Sequence, residues 1–147
     1  MTSRDRDLRI GWSDHDRAAW CTKAAVLFGV AAVALRIVGV PPVDLHGPLH
    51  YLGVMDPLCG GTRATFLLLS GDLAEAARYN PIVFPLAAVA VLVFARAVVG
   101  MTTRRWLDVQ LGRMSRIAAW TALALALVLL EVRQQLNADL LMQAWPA

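Results

Sequence analysis

Charge and cysteine are both scarce in these 147 residues. Charged side chains make up 17% of the chain, where a soluble domain carries about 25%, and apolar residues reach 58% rather than roughly 45–50%. Two cysteines, Cys21 and Cys59, are too few for a disulfide framework, and neither belongs to a Cys-x-x-Cys pair. The glycine pair Gly60-Gly61 lacks the Gly-Lys-Ser/Thr ending of a nucleotide-binding phosphate loop. No serine–histidine pair and no mid-span carboxylate pair stands out. The sequence therefore carries no recognisable catalytic machinery and implies no cofactor, and nucleic acid is not an expected partner.

Long apolar runs fill the space that charge leaves, so a lipid bilayer is the expected solvent. Three membrane-spanning helices are predicted, over about 18–40, 81–99 and 117–136. Pro41-Pro42 stops the first, because proline has no N–H to donate and disfavours helix in the residue before it. Asn80 suits the N-cap of the second and Pro81 its first helical position. The third has an uncharged stretch of only Ile117 to Leu130, short for a core of about 30 Å, and becomes long enough when Glu131 and Arg133 reach the interface. Residues 1–17 mix Arg4, Arg6, Arg9 and Arg17 with Asp5, Asp7, Asp14 and Asp16. They read as a solvated arm, touching the membrane surface through Leu8, Ile10 and Trp12, rather than as a cleavable signal. The rest, 18–147, reads as one membrane domain.

Basic residues set the expected orientation. The N-terminal arm and the connection bearing Arg104, Arg105, Arg113 and Arg116 are rich in them, whereas the 41–80 connection has only Arg63 and Arg78 and the chain beyond Arg133 has none. Positive-inside asymmetry then puts the N-terminus in the cytoplasm and the C-terminus outside the plasma (inner) membrane. Cys21 and Cys59 fall at opposite faces, which disfavours a bridge. Lys23 and Arg96, near the inner face, are expected to snorkel.

The 41–80 connection is too patterned for a plain loop. Thr62 is a candidate N-cap for a short helix over Arg63 to Ser70, and Gly71 can end it in the left-handed conformation. Asp72, with Glu75 three residues on, can cap a second helix that ends at Asn80-Pro81. Helices of about two turns cannot span a bilayer, so both are expected to be interfacial or re-entrant. The expected fold is all-α: three spans plus these two short helices.

The run Asp56-Pro57-Leu58-Cys59-Gly60-Gly61-Thr62-Arg63-Ala64, followed by Ser70-Gly71-Asp72, Ala76-Ala77 and Tyr79-Asn80-Pro81, resembles the signature of a family of small bacterial membrane proteins, domain-of-unknown-function family 2752. The resemblance covers about Met55 to Gly100. It implies a membrane architecture and marks Asp56, Pro57, Cys59, Gly60, Gly61, Thr62, Arg63, Gly71, Asp72, Asn80 and Pro81 as the signature loop, without implying a reaction. The family's first cysteine is Asp56 here, so no two-cysteine site carries over.

Three readings of these residues compete with plainer ones. His46, His50, Asp56 and Cys59 have the donor types of a metal, haem or redox site, but their spacing matches no standard ligand motif. The Gly60-Gly61-Thr62-Arg63 turn could cradle an anion, though a tight turn with a structural arginine is the simpler reading. Arg36, Asp56, Arg63, Glu131 and Arg133 fall at one depth and read better as a structural charge layer than as a transport path. Arg63 is the expected anchor, paired with Asp56 or Glu131. Ala118, Ala122 and Ala126 permit close helix packing. The leading functional expectation is an accessory or scaffold subunit whose partners are the bilayer and another membrane protein or a second copy. An outer-face redox or metal protein using Cys59 with His46 or His50 is the alternative.

Overall fold

In the computed structural model, residues 8–40 and 53–143 are described. Along the chain they form β1 (Leu8–Ser13), α1 (Ala19–Val38), α2 (Gly61–Ser70), α3 (Leu73–Tyr79), α4 (Val83–Thr103), β2 (Trp106–Leu111), α5 (Arg113–Leu136) and α6 (Ala138–Met142). α1, α4 and α5 are long and apolar enough to cross a membrane. The chain is a multi-pass membrane protein in architecture, and its large apolar side chains agree: Leu27, Val91 and Leu129 are each more than 60% exposed. In water such surfaces would be strongly unfavourable; against hydrocarbon they are not.

Local chemistry explains where the helices begin and end. Asp16 accepts a hydrogen bond from Ala18 N at 3.0 Å just ahead of α1. Gly39, at φ +88°, closes that helix with its N–H on Leu35 O. α2 starts after Gly60 at φ +75° and stops at Gly71 at φ +86°. Gly71 N and Asp72 N return to Leu68 O and Leu67 O, which satisfies carbonyls that a helix end would otherwise leave open. Asp72 then caps α3 by accepting from Glu75 N at 3.2 Å.

α1 packs against α4 and against α2. Gly29 of α1 makes room for the Phe94 ring of α4, which a Cβ there would meet at 3.2 Å. The buried interior is small: Ala97 and Gly100 are buried near the end of α4, and two clusters lie at the other end of that helix. One cluster is Met55, Cys59 and Leu141, with Tyr79 and Ala138 against it. The other is Ala64, Ala76 and Val83, flanked by Leu67, Leu68 and Phe84. α5 differs from the other two spans. None of its most apolar stretch is buried, and the elements that hold it sit at its two ends.

Several expectations need correction. The fold is mostly helical but not all-α, because β1 and β2 pair antiparallel, Leu8 with Leu111 through Ser13 with Trp106. The solvated arm is therefore, over Leu8–Ser13, a strand. Its alternation of Leu8, Ile10 and Trp12 with Arg9, Gly11 and Ser13 is a period-two signal that β2 matches with Leu107, Val109 and Leu111. Arg96 does not snorkel. Its Nε donates to Leu107 O at 2.7 Å, and its Nη1 stands 2.9 Å from Asp16 Oδ1 in an ion pair without hydrogen-bond alignment. Its guanidinium lies 5.4 Å from the Trp106 ring centre. That ring occupies the space where a Cβ of Gly100 would stand. Thr62 is not the cap of α2, which begins at Gly61, two residues before the expected Arg63, behind left-handed Gly60. α4 begins at Val83 rather than Pro81 and runs on to Thr103.

Candidate functional site

The signature loop folds into a clamp of backbone carbonyls around two buried amides. Asn80 and Gln134 are both fully buried. Asn80 Nδ2 donates to Pro57 O and Cys59 O, each at 3.0 Å. Its Oδ1 accepts from Ile82 N at 3.1 Å and so leads the chain through Pro81 into α4. Gln134, on the last turn of α5, donates from Nε2 to Cys59 O at 2.6 Å and to Tyr79 O at 3.0 Å. Its Oε1 accepts from Arg133 at 2.9 Å. Cys59 O thus receives both amides. A buried carbonyl without a partner costs about 1–3 kcal/mol, so these side chains decide whether the loop can be buried at all.

Neighbouring groups extend the clamp. Arg133 Nη2 donates to Ala77 O at 2.9 Å and Arg78 O at 3.1 Å, the free carbonyls at the C-terminal end of α3. A cation there also suits the helix dipole. Gln135 holds the start of the loop from both sides, with Oε1 accepting from Met55 N at 3.0 Å and Nε2 donating to Gly53 O at 2.9 Å. Leu141 of α6 fills the space beside Gly60, and a Cβ on that glycine would stand 2.7 Å from Leu141 Cδ2. Gly60 is thereby required twice, by its positive φ and by this contact.

Of the residues expected to form a charge layer, Arg63 and Arg133 engage backbone carbonyls, and Arg63 and Arg36 lie against aromatic rings. Arg63 Nη1 reaches Leu141 O at 3.4 Å, and its guanidinium lies 5.8 Å from the Tyr79 ring centre. Arg36 faces Phe66 at 5.7 Å. Asp56 turns back on its own loop and accepts from Leu58 N at 2.7 Å. Glu131 is exposed. A cation on a carbonyl or an aromatic face requires no second charge to lose its water.

Cys59 sits 3% exposed with Sγ 3.5 Å from Met55 Sδ. Burial pushes its thiol up from the ordinary 9.0, and the Asp56 carboxylate adds to this; the Gly60 N–H and the Arg63 charge pull the other way. The neutral thiol is the favoured form, whereas a nucleophile or metal ligand needs the thiolate. His46 and His50 lie outside the described residues. Among the described residues, no three His, Cys, Asp or Glu side chains cluster as metal ligands would.

The structure brings Pro57, Cys59, Gly60, Arg63, Asn80 and Asp56 to one module. Thr62 is exposed on α2, and Gly71 and Asp72 form the exposed turn between α2 and α3. Sequence reasoning missed Gln134, Gln135 and Leu141, and it placed Tyr79 in the signature run without a role. Consecutive amides directly after an apolar span were the available signal, since an amide at a span's end is a natural partner for loop carbonyls.

Comparison with known families places this module. Residues 48–94 match a family model described as a protein of unknown function, DUF2752. The match holds the whole α2–α3 unit, Asn80 and most of α4, and stops short of the residues of α5 that complete the clamp. No match was found among curated proteins or among solved structures.

Proposed function

We propose that this chain is a non-catalytic accessory subunit of the plasma membrane, which pairs with another membrane protein along α5 and holds its signature loop rigidly at the outer face. One observation carries the reading: α5 is fixed at both ends and bare between them. Helices in lipid associate through close packing, and a bundle of three normally buries one side of each. Here α1 and α4 use each other, and Gly29 and Phe94 mark that contact. α5 leaves most of its middle exposed for a neighbour, and Ala118, Ala122 and Ala126, all exposed along it, allow close approach.

The clamp supports the same reading from the other side. The signature residues that could carry chemistry are engaged in holding backbone: Asn80 by three hydrogen bonds, Arg63 against Tyr79 and Leu141, Cys59 as a buried thiol. α2 and α3 lie at the interface on the outer side. The N-terminal strand and the 104–116 segment lie in the cytoplasm, following the distribution of arginines.

Photo-crosslinking side chains at Ala122 and Leu125 in native membranes, followed by purification in mild detergent, test the pairing. A discrete cross-linked partner from at least one position is the expected result. A protein that runs alone at its monomer mass, with lipid as its sole adduct, would overturn the accessory role, as would capture of a second copy alone. Impermeant thiol reagents test the orientation on single-cysteine variants at Ser3, Ser70 and Gln143. Labelling of the Ser3 variant from outside intact cells would reverse it.

A further inference from the structure

The β1–β2 ribbon is inverted for water. Its register sets Leu8 opposite Leu111, Ile10 opposite Val109 and Trp12 opposite Leu107. Opposed residues of an antiparallel pair share a face, so these six apolar side chains line one side. That side is the open one: Ile10 is 65% exposed and Val109 53%. The other side is polar and partly covered. Asp108 there holds Arg17 at 3.2 Å and Gln110 at 2.8 Å, and Trp106 packs on Gly100. A polar cavity of about 500 Å³, lined by Arg9, His15, Arg17 and Gln110 among others, opens on the same region. A two-stranded ribbon is marginal in water at best, and an uncovered apolar side makes it worse.

We propose that the apolar side of this ribbon is inserted in the headgroup–acyl boundary of an anionic lipid leaflet, as a fixed anchor where α4 passes into α5. The inference rests on the reading that α1, α4 and α5 cross a bilayer. Continuity favours lipid: β2 is tied within three residues to the end of α4 and the start of α5, so the ribbon sits where those spans leave the membrane. Charge favours an anionic leaflet: exposed Arg104, Arg105, Arg113 and Arg116 bracket β2, and lipid phosphates complement them. Trp12, at 56% exposure, supplies the amphipathic ring that prefers this depth. A second copy fits less well, because it would bring the same four arginines against these.

Nitroxide labels introduced singly at Ile10, Val109, Gln110 and Leu125, on a Cys21→Ser/Cys59→Ala background, test the anchor. The protein is placed in nanodiscs of phosphatidylglycerol with phosphatidylcholine, and in phosphatidylcholine alone. The Ile10 and Val109 labels are expected to gain oxygen collisions and lose nickel-chelate collisions, at a depth of about 5–10 Å. Gln110 should do the opposite, and Leu125 should report deep hydrocarbon in both lipids. Removing phosphatidylglycerol should return the Ile10 and Val109 labels toward water and leave Leu125 unchanged. Ile10 and Val109 as open to the nickel chelate as Gln110, with Leu125 still in hydrocarbon, would overturn the anchor alone. Spin–spin broadening at Ile10 that disappears on dilution with unlabelled protein would overturn it in favour of a second copy. A water-exposed Leu125 would instead overturn the spanning reading. Should the cysteine-free background not fold, fluorine NMR of 5-fluorotryptophan in the native sequence asks the same of Trp12: strong relaxation by a lipid-borne nitroxide is expected, and its absence refutes the anchor.

Discussion

Asn80→Ala should be among the most damaging single substitutions in the outer module. The asparagine serves three backbone groups, but the loss is not three bonds of equal weight. Cys59 O keeps Gln134 as a donor at 2.6 Å, so it remains satisfied. Pro57 O and Ile82 N lose the Asn80 partners at 3.0 and 3.1 Å. At about 1–3 kcal/mol for a fully buried group left unmade, these two half-buried groups cost at most about 2–6 kcal/mol. For a chain of this length that corresponds to a fall in Tm on the order of 5–20 °C. Asn80→Asp keeps the shape and the Ile82 contact but turns the donor into an acceptor facing two carbonyls, so at neutral pH it should be at least as damaging. The carbonyls would hold the new carboxyl neutral, raising its pKa in the folded state above the unfolded value of about 3.9. The folded protein then keeps a proton that the unfolded chain releases, so the variant loses stability as pH rises above about 4 and recovers part of it on acidification. Intrinsic tryptophan fluorescence during heating in mild detergent reads all three proteins. Asp72→Ala, which removes an exposed cap worth about 0.5–2 kcal/mol, sets the scale of a local helix-end defect. An Asn80→Ala protein that melts with wild type, or an Asn80→Asp protein indifferent to pH, would refute the clamp.

Four further outcomes are accessible to the same preparations. Arg96→Ala should lower Tm by breaking the pair with Asp16, whose members are 14% and 15% exposed; the loss should fall below the about 3–5 kcal/mol of a fully buried pair, and Arg96→Lys should restore part of it. Gly100→Ala should destabilise through overlap with the Trp106 ring, and a Trp106→Ala second change should relieve that penalty in a double-mutant cycle. Arg63→Ala should cost more than Arg78→Ala, because Arg78 pairs with Glu75 in the open, where such pairs contribute at most about 1 kcal/mol; equal melting of the two variants would contradict this. Cys59 should resist maleimide in the folded protein and react after denaturation, and stability should decline as pH climbs past 9.0, where the unfolded thiol ionises and the buried one does not.

The spans were legible because lipid leaves a plain mark: three long apolar runs, the second introduced by Asn80-Pro81. Gly71 and Asp72 were legible too, since a left-handed residue and a side-chain cap are local requirements that few residue types meet. The rest depends on partners far along the chain. Gln134 looks like any polar residue after an apolar span until the carbonyls of Cys59 and Tyr79 stand beside it. Arg96 looks like a snorkelling arginine until Asp16 and Leu107 O arrive from separate segments. β1 was hidden for a related reason: six residues of alternation are weak evidence for a strand until the matching six are known to lie alongside.

The pairing of Leu8 with Leu111 has a consequence in time. A ribosome adding about 5–20 residues per second needs on the order of 5–20 s to make the second strand after the first. Through that interval β1 waits with its ladder unpaired. For helices that cross a bilayer, the two strands meet only when α1 and α4 have entered in opposite directions; an inverted α4 would strand them on different sides. For such helices, closing the ribbon requires both to be threaded in opposite senses, and a chain with α4 inverted would leave the β1 edge unpaired.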